Sequence, residues 1–275
     1  MAKNDISDIC FLSGGTLLVT RLLDNCIEIF NFDGNVITSK VRFGLPALPP
    51  NCNGYMLMRA RSYPISDDIA ISRNPLPSLE RSLFYPSPED RICCISCQMP
   101  ADTYIRKLFV HIRVFLGMDP RVSRFLTETP SSSVPWEIWG PQNTRWCLGS
   151  FVDRSYTLYG LKAIDIVLPV ANEIEGLGYR LRVWDFNPYA PSNPEDDTLL
   201  EDWQKGSVVT ECLRIPKGAL FAEDVESHLP YREVITKEHF KLSDAMIDGA
   251  QIVLKKVFMS YDSLVIISIN VDFDS

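Results

Sequence analysis

Short alternating runs of apolar and polar residues recur along this chain, and their period of two predicts half-buried strands. The first three are predicted at 9–12, 16–22 and 26–32. Turn-forming Ser13-Gly14-Gly15 and Asp24-Asn25 separate them. A strand at 55–62 follows, then a hairpin of 91–99 with 104–116, connected at Pro100-Ala101-Asp102. Further strands are predicted at 146–151, 156–168, 178–186, 208–215, 231–236, 250–258 and 264–271. Residues 134–141 read as a loop, and a short helix is expected at 222–227. Prolines cluster at about 44–54, 74–90 and 187–205, where their density excludes central-strand pairing and predicts long connections.

One pattern repeats. Leu181-Arg-Val-Trp184-Asp185-Phe-Asn187-Pro188 is an alternating strand that ends in a Trp-Asp pair and a turn. Ile27-Glu-Ile-Phe-Asn-Phe32 precedes Asp33-Gly34 in the same way, with looser echoes at Ile112-Arg-Val-Phe115 and Ile267-Ser-Ile-Asn-Val271. A recurring strand-ending motif in a strand-rich chain predicts radial repetition, so the expected fold is an all-β, β-propeller-like single domain over residues 1–275. The intervals between echoes exceed the roughly 40–45 residues of a compact blade, and the Pro-rich connections account for the excess. About four blades result, as a minimal ring or as an incomplete piece of a larger one.

Composition fits a globular chain of 275 residues, with 46% hydrophobic and 23% charged residues. A formal charge of −8, with Lys255-Lys256 as the longest lysine cluster, argues against nucleic acid or an anionic membrane as partner. No apolar leader is visible at the amino terminus, and the apolar tract 264–271 is too short to cross a bilayer. Eight cysteines and no N-glycosylation sequon then predict reduced thiols and an intracellular, cytoplasmic or nuclear, location.

Candidate chemistry is sparse. Cys94-Ile-Ser-Cys97 is the one Cys-x-x-Cys, but alternation on a strand sends its two thiols to opposite faces, against a zinc or redox role. Cys52, Cys147 and Cys212 supply no second closely spaced pair. The three histidines, His111, His228 and His239, show no metal-ligand spacing and no nucleophile elbow. Gly176-Leu-Gly178 lacks the third glycine of a dinucleotide fingerprint and reads as a hairpin turn. Asp67-Asp68 and Asp196-Asp197 read as solvated loop acids, and Asp244-Ala-Met-Ile-Asp248-Gly249 lacks calcium-loop spacing. No catalytic residue, metal ligand or cofactor is therefore assigned. Three of the five tryptophans fall between 136 and 146. Trp136, Trp139, Arg145 and Trp146 are the candidate protein-binding residues, with core packing under a loop as the alternative.

The segment Val134-Pro-Trp-Glu-Ile-Trp-Gly-Pro-Gln-Asn-Thr-Arg-Trp146 resembles a motif of a large family of fungal F-box proteins. Tyr179-Arg-Leu-Arg-Val-Trp-Asp-Phe-Asn-Pro-Tyr189, His228-Leu-Pro-Tyr-Arg-Glu-Val234 and Met246-Ile-Asp-Gly249 resemble later parts of the same proteins in the same order. The resemblance covers about 8–273 and is strongest from 134 to 258. It implies a WD-like β region that presents a substrate-recognition surface of a ubiquitin ligase, with no catalytic residues. The expected partner is thus another protein, as yet unknown. A Skp-type adaptor is not expected to bind this chain, because no Leu-Pro-rich helical F-box segment precedes the first strand. The aromatic cluster and abundant acids also suit a carbohydrate-binding or glycoside-processing β protein, and the small blade count suits a truncated gene product.

Overall fold

The computed structural model describes residues 5–50, 52, 54–62, 89–100, 104–129, 133–149, 157–167, 178–188, 206–240, 244–248, 251–258, 261–263 and 269–270. The chain begins as an antiparallel meander of β1 (Ile6–Ser13), β2 (Thr16–Arg21), β3 (Cys26–Asp33) and β4 (Val36–Gly44). β4 was not expected from the sequence. Its first half, Val36-Ile-Thr-Ser-Lys40, is exposed, and pairing to β3 holds it in place.

β5 (Leu57–Ser62), β6 (Ile92–Gln98) and β7 (Ile105–His111) start a second sheet, and the predicted hairpin forms with Cys94 opposite Phe109. Its second strand stops at His111, short of 116. Ile112–Val114 form a 3-10 turn instead, and an unexpected helix, α1 (Pro120–Glu128), follows. Its start obeys ordinary capping rules: the Asp119 carboxylate accepts from the backbone N–H of Arg121 at 2.8 Å and Val122 at 3.1 Å, and Pro120 opens the first turn.

β8 (Ser133–Val134) then runs parallel to β4. The segment read as a loop from 134 is the helix α2 (Trp136–Asn143), despite Pro141 near its end. Tertiary packing overrides propensity here: Trp136, Trp139 and Gly140 share the i, i+3, i+4 stripe and are buried together. β9 (Thr144–Leu148) returns to pair with β7 and completes the order β5-β6-β7-β9.

The predicted strand 156–168 is a hairpin, β10 (Leu158–Tyr159) and β11 (Lys162–Val167), turning at Gly160 with φ of 57°. β12 (Arg180–Asp185) follows. The predicted strand 208–215 is split between two sheets, as β13 (Ser207–Val209) and β14 (Leu213–Ile215). The helix expected at 222–227 is absent, because β15 (Val225–Ser227) pairs with β14 as a two-stranded ribbon. β16 (Tyr231–Ile235) inserts between β12 and β13, so the third sheet runs β10-β11-β12-β16-β13. β17 (Asp244–Asp248), β18 (Gln251–Phe258), β19 (Tyr261–Ser263) and β20 (Ile269–Asn270) make the fourth. Of the predicted Pro-rich connections, most of 74–90 and most of 187–205 lie outside the described residues.

The fold is mostly β, in several sheets, and among the described residues none closes into a barrel. Its core is layered. β6 sends Cys93, Ile95 and Cys97 toward Leu18, Ile29 and Phe43 of the first sheet. Ile92 and Cys94 instead join Phe109, Trp184 and Phe186 between the second and third sheets. β12 divides in the same way, with Leu181 and Val183 facing Ile247 and Ile252 of the fourth sheet. β6 is therefore buried on both faces and β12 packs on both, which explains the near-continuous apolar reading of β6. The leading strands touch in series: β1 packs on β5, β5 on β10, and β10 on β17. A buried ion pair, Lys107 Nζ to Asp165 Oδ1 at 2.9 Å, joins β7 to β11 between the second and third layers. Among the described residues no helix is long and apolar enough to cross a membrane.

Candidate functional site

All four residues singled out as protein-binding candidates lie inside the molecule. Trp139 donates from Nε1 to the Gly44 carbonyl at 2.8 Å and packs edge-on against Phe43 and Trp136, with centroids 5.5 and 5.0 Å away. The Trp136 ring covers Gly140 so closely that an added Cβ would come within 2.3 Å of it. Trp146 packs on Phe221 at 5.5 Å. Arg145 points to the other face of β9. There its Nε donates to the Leu229 carbonyl at 2.7 Å and its Nη1 to the Glu211 carbonyl at 3.0 Å, with the guanidinium 5.3 Å over Tyr231. The cluster is thus packing beneath α2, plus a cation that ties two distant chain segments together. Tryptophan rings this close to a glycine and to one another gain most from burial.

The remaining motifs also resolve into structure. Cys94 and Cys97 enter different core clusters, and burial raises the pKa of Cys97 well above that of an ordinary thiol. His111 lies 4.0 Å from Asp90, and burial holds its pKa below 6.5. Trp184 donates from Nε1 to Glu233 at 3.1 Å, while the Asp185 carboxylate accepts from the Asn187 N–H at 2.9 Å, a local turn that ends the strand. Asp244 and Asp248 lie on β17, paired to β18. Asp67-Asp68, Asp196-Asp197 and Gly176 lie outside the described residues. One juxtaposition escaped the sequence reading: Cys212, Glu226 and His228 converge at the β14–β15 ribbon. Glu226-Ser227-His228 carried the local signal, since alternate residues on a strand share a face. Nothing in the chain order placed Cys212 opposite them.

The surface with the clearest binding chemistry is the outward face of the first sheet. Residues directly opposite on paired strands share a face, so two rows can be read from the register. One runs Ile9, Val19, Glu28, Arg42, and the other Phe11, Leu17, Phe30, Lys40. The opposite face carries Leu18, Ile29 and Phe43 to the core. Ile9 is 51% exposed and Phe11 67%. Glu28 is fully covered by three cations, with Arg21 Nε at 2.9 Å, Arg42 Nε at 2.7 Å and Lys40 Nζ at 2.7 Å. Burial alone would raise the Glu28 carboxyl, but these donors outweigh it and hold the group below 4.5. The Lys40 ammonium also sits 5.2 Å over the Phe30 ring.

Ile9 and Phe11 therefore form an apolar strip along the β1 edge of a face that farther along carries guanidinium and ammonium groups held by Glu28. Half of the large hydrophobics exposed among the described residues belong to this sheet and its turns: Ile6, Ile9, Phe11, Leu23, Val36 and Ile37. Such a surface suits a partner that brings apolar side chains with an acidic group beside them. Comparison with protein-family models, with curated proteins and with solved structures finds no match to this chain.

Proposed function

We propose that this chain is a nonenzymatic protein-interaction scaffold of propeller-like architecture, with about four blades, whose first sheet receives a partner on its outward face. The observation that carries the reading is the exposed Ile9 and Phe11 strip on the same face as the Glu28-centred cations, on a sheet whose other face is core. Supporting it, four small sheets follow one another with their leading strands in contact, as successive blades would. In that arrangement the outward face of the first sheet is the surface a further blade or a partner would cover. The reading that this scaffold serves substrate recognition by a ubiquitin ligase rests on the ordered motifs that resemble fungal F-box proteins. A carbohydrate-stacking platform gains no support from the described tryptophans, since Trp136, Trp139, Trp146 and Trp184 are all buried.

Quantitative affinity purification from the source organism tests the proposal, using the wild-type chain, an Ile9→Asp/Phe11→Asp variant and a Met118→Asp control. A defined set of proteins retained by the wild type and the control, and lost by the double variant, is the expected result. Equal recovery by all three proteins would refute the assignment of this face. Binding to a glycan array with no protein retained would favour the carbohydrate reading instead.

A further inference from the structure

We propose that Cys212, Glu226 and His228 form a binding site for a zinc-class divalent ion. On the β14–β15 ribbon Leu213 pairs with Ser227 and Arg214 with Glu226. Continuing that register by one residue sets Cys212 opposite His228, and strand alternation puts Glu226 on their side of the ribbon. The thiol sulfur, one imidazole nitrogen and one carboxylate oxygen all lie within 4.8 Å of one another. His228 Nε2 and Glu226 Oε2 are 3.6 Å apart, too far for a hydrogen bond. Ligand bonds of about 2.0–2.3 Å at a tetrahedral zinc place neighbouring donor atoms roughly 3.3–3.6 Å apart. The histidine–glutamate pair is already near that separation, and the exposed Cys212 sulfur lies within 4.8 Å of both.

The frame behind the trio is hydrogen-bonded on both strands. His228 donates its backbone N–H to the Pro141 carbonyl at 2.7 Å, and Leu229 to that of Thr144 at 3.0 Å. The buried Arg145 guanidinium binds the carbonyls of Glu211 and Leu229, the residues just outside Cys212 and His228. One cation therefore holds the two backbones in register where the ladder ends. Of the eight cysteines only Cys212 is exposed. A thiolate with an imidazole selects zinc, cobalt or copper over magnesium or calcium, which prefer all-oxygen sets. On coordination the Cys212 thiol gives its proton to solvent, and three protein ligands leave a fourth position for water or a partner's side chain.

Titration of the full chain with Co(II), followed by zinc displacement, tests this. One equivalent of Co(II) is expected to bind and to give a thiolate-to-cobalt charge-transfer band, which zinc abolishes. The band should vanish in Cys212→Ser. In His228→Ala and Glu226→Gln the affinity should fall by roughly 10–100-fold or more, at least the loss seen when an outer-shell partner of a metal site is removed. Glu223→Gln, a nearby exposed acid, should bind like the wild type. All four altered side chains are at least partly exposed, so the variants keep the fold, which their thermal melts will verify. Absence of the band in the wild type overturns the proposal. So does a band of unchanged affinity in both His228→Ala and Glu226→Gln, which would mark a single thiolate binding metal by itself.

Discussion

Replacing Lys107 with methionine removes an ammonium paired with Asp165 between the second and third sheets while keeping the bulk of the side chain. The two groups are 2.9 Å apart, with 5% and 6% of their side-chain surfaces exposed. The Lys107 stem also lies against Gly149, where an added Cβ would come within 2.8 Å of Cε, so the space is already filled. Removing one member of a buried pair leaves a charge in a poorly solvating interior and costs about 3–5 kcal/mol. Losing the cation 5.7 Å above the Trp184 ring adds a smaller amount, about 0.5–1 kcal/mol. Urea unfolding followed by tryptophan fluorescence reads the effect directly. Lys107→Met is expected to lose that stability, and Lys107→Met/Asp165→Leu to recover most of it, because an apolar pair of similar volume is often neutral or better. A single variant within about 1 kcal/mol of the wild type, or a double variant as weak as the single, would refute the face-to-face packing of these sheets.

Three further outcomes are expected. Gly140→Ala should destabilise the protein by about 1–3 kcal/mol, because the new methyl enters the Trp136 ring; an unchanged urea midpoint would contradict the packing of α2. The Glu28 network should stabilise fully above the carboxyl's ordinary value of 4.5 and fade as pH falls through its lower folded value. Glu28→Gln should therefore be less stable than the wild type at pH 6, and the gap should narrow toward pH 3 in parallel denaturation curves. In the native protein a maleimide should label Cys212 first. Burial raises the thiols of Cys10 and Cys26 to about 11 and that of Cys147 to about 12, so peptide mapping should find them protected until unfolding.

Much of the strand content was legible because alternation is a local signal. β1, β2, β3 and the β6–β7 hairpin lie close to where the apolar pattern places them. The misreadings share a physical cause, since each depends on contacts distant in sequence. α2 looks like a loop until Gly44 and Phe43 are seen to receive Trp139, and β15 looks helical until β14 supplies its ladder. α1 is different: Asp119-Pro120 is an ordinary helix start that was readable locally. The aromatic segment was marked as a candidate protein-binding cluster with core packing as the alternative, and its side chains are buried; composition cannot distinguish a buried tryptophan from an exposed one. The outward face of the first sheet was hidden for the converse reason. The pattern places Ile9 and Phe11 in a strand but does not say which of its faces is buried; the register shows it. Cys212 and His228 are joined by pairing across a turn, which no spacing rule encodes.

The Trp184-Asp185 pair behaves as its local chemistry requires, with the ring in the core and the carboxylate closing a turn. Of its echoes, 27–32 also lies on a strand, β3, whereas 112–115 begins a 3-10 turn; the proposed function rests on the exposed face of the first sheet. A photoreactive phenylalanine analogue at position 11, irradiated in extract of the source organism, interrogates that face most directly. One discrete protein adduct, absent when Ile9 is changed to aspartate and absent from the same probe at position 118, is the predicted result. No adduct at position 11 beyond that at position 118 would contradict the account.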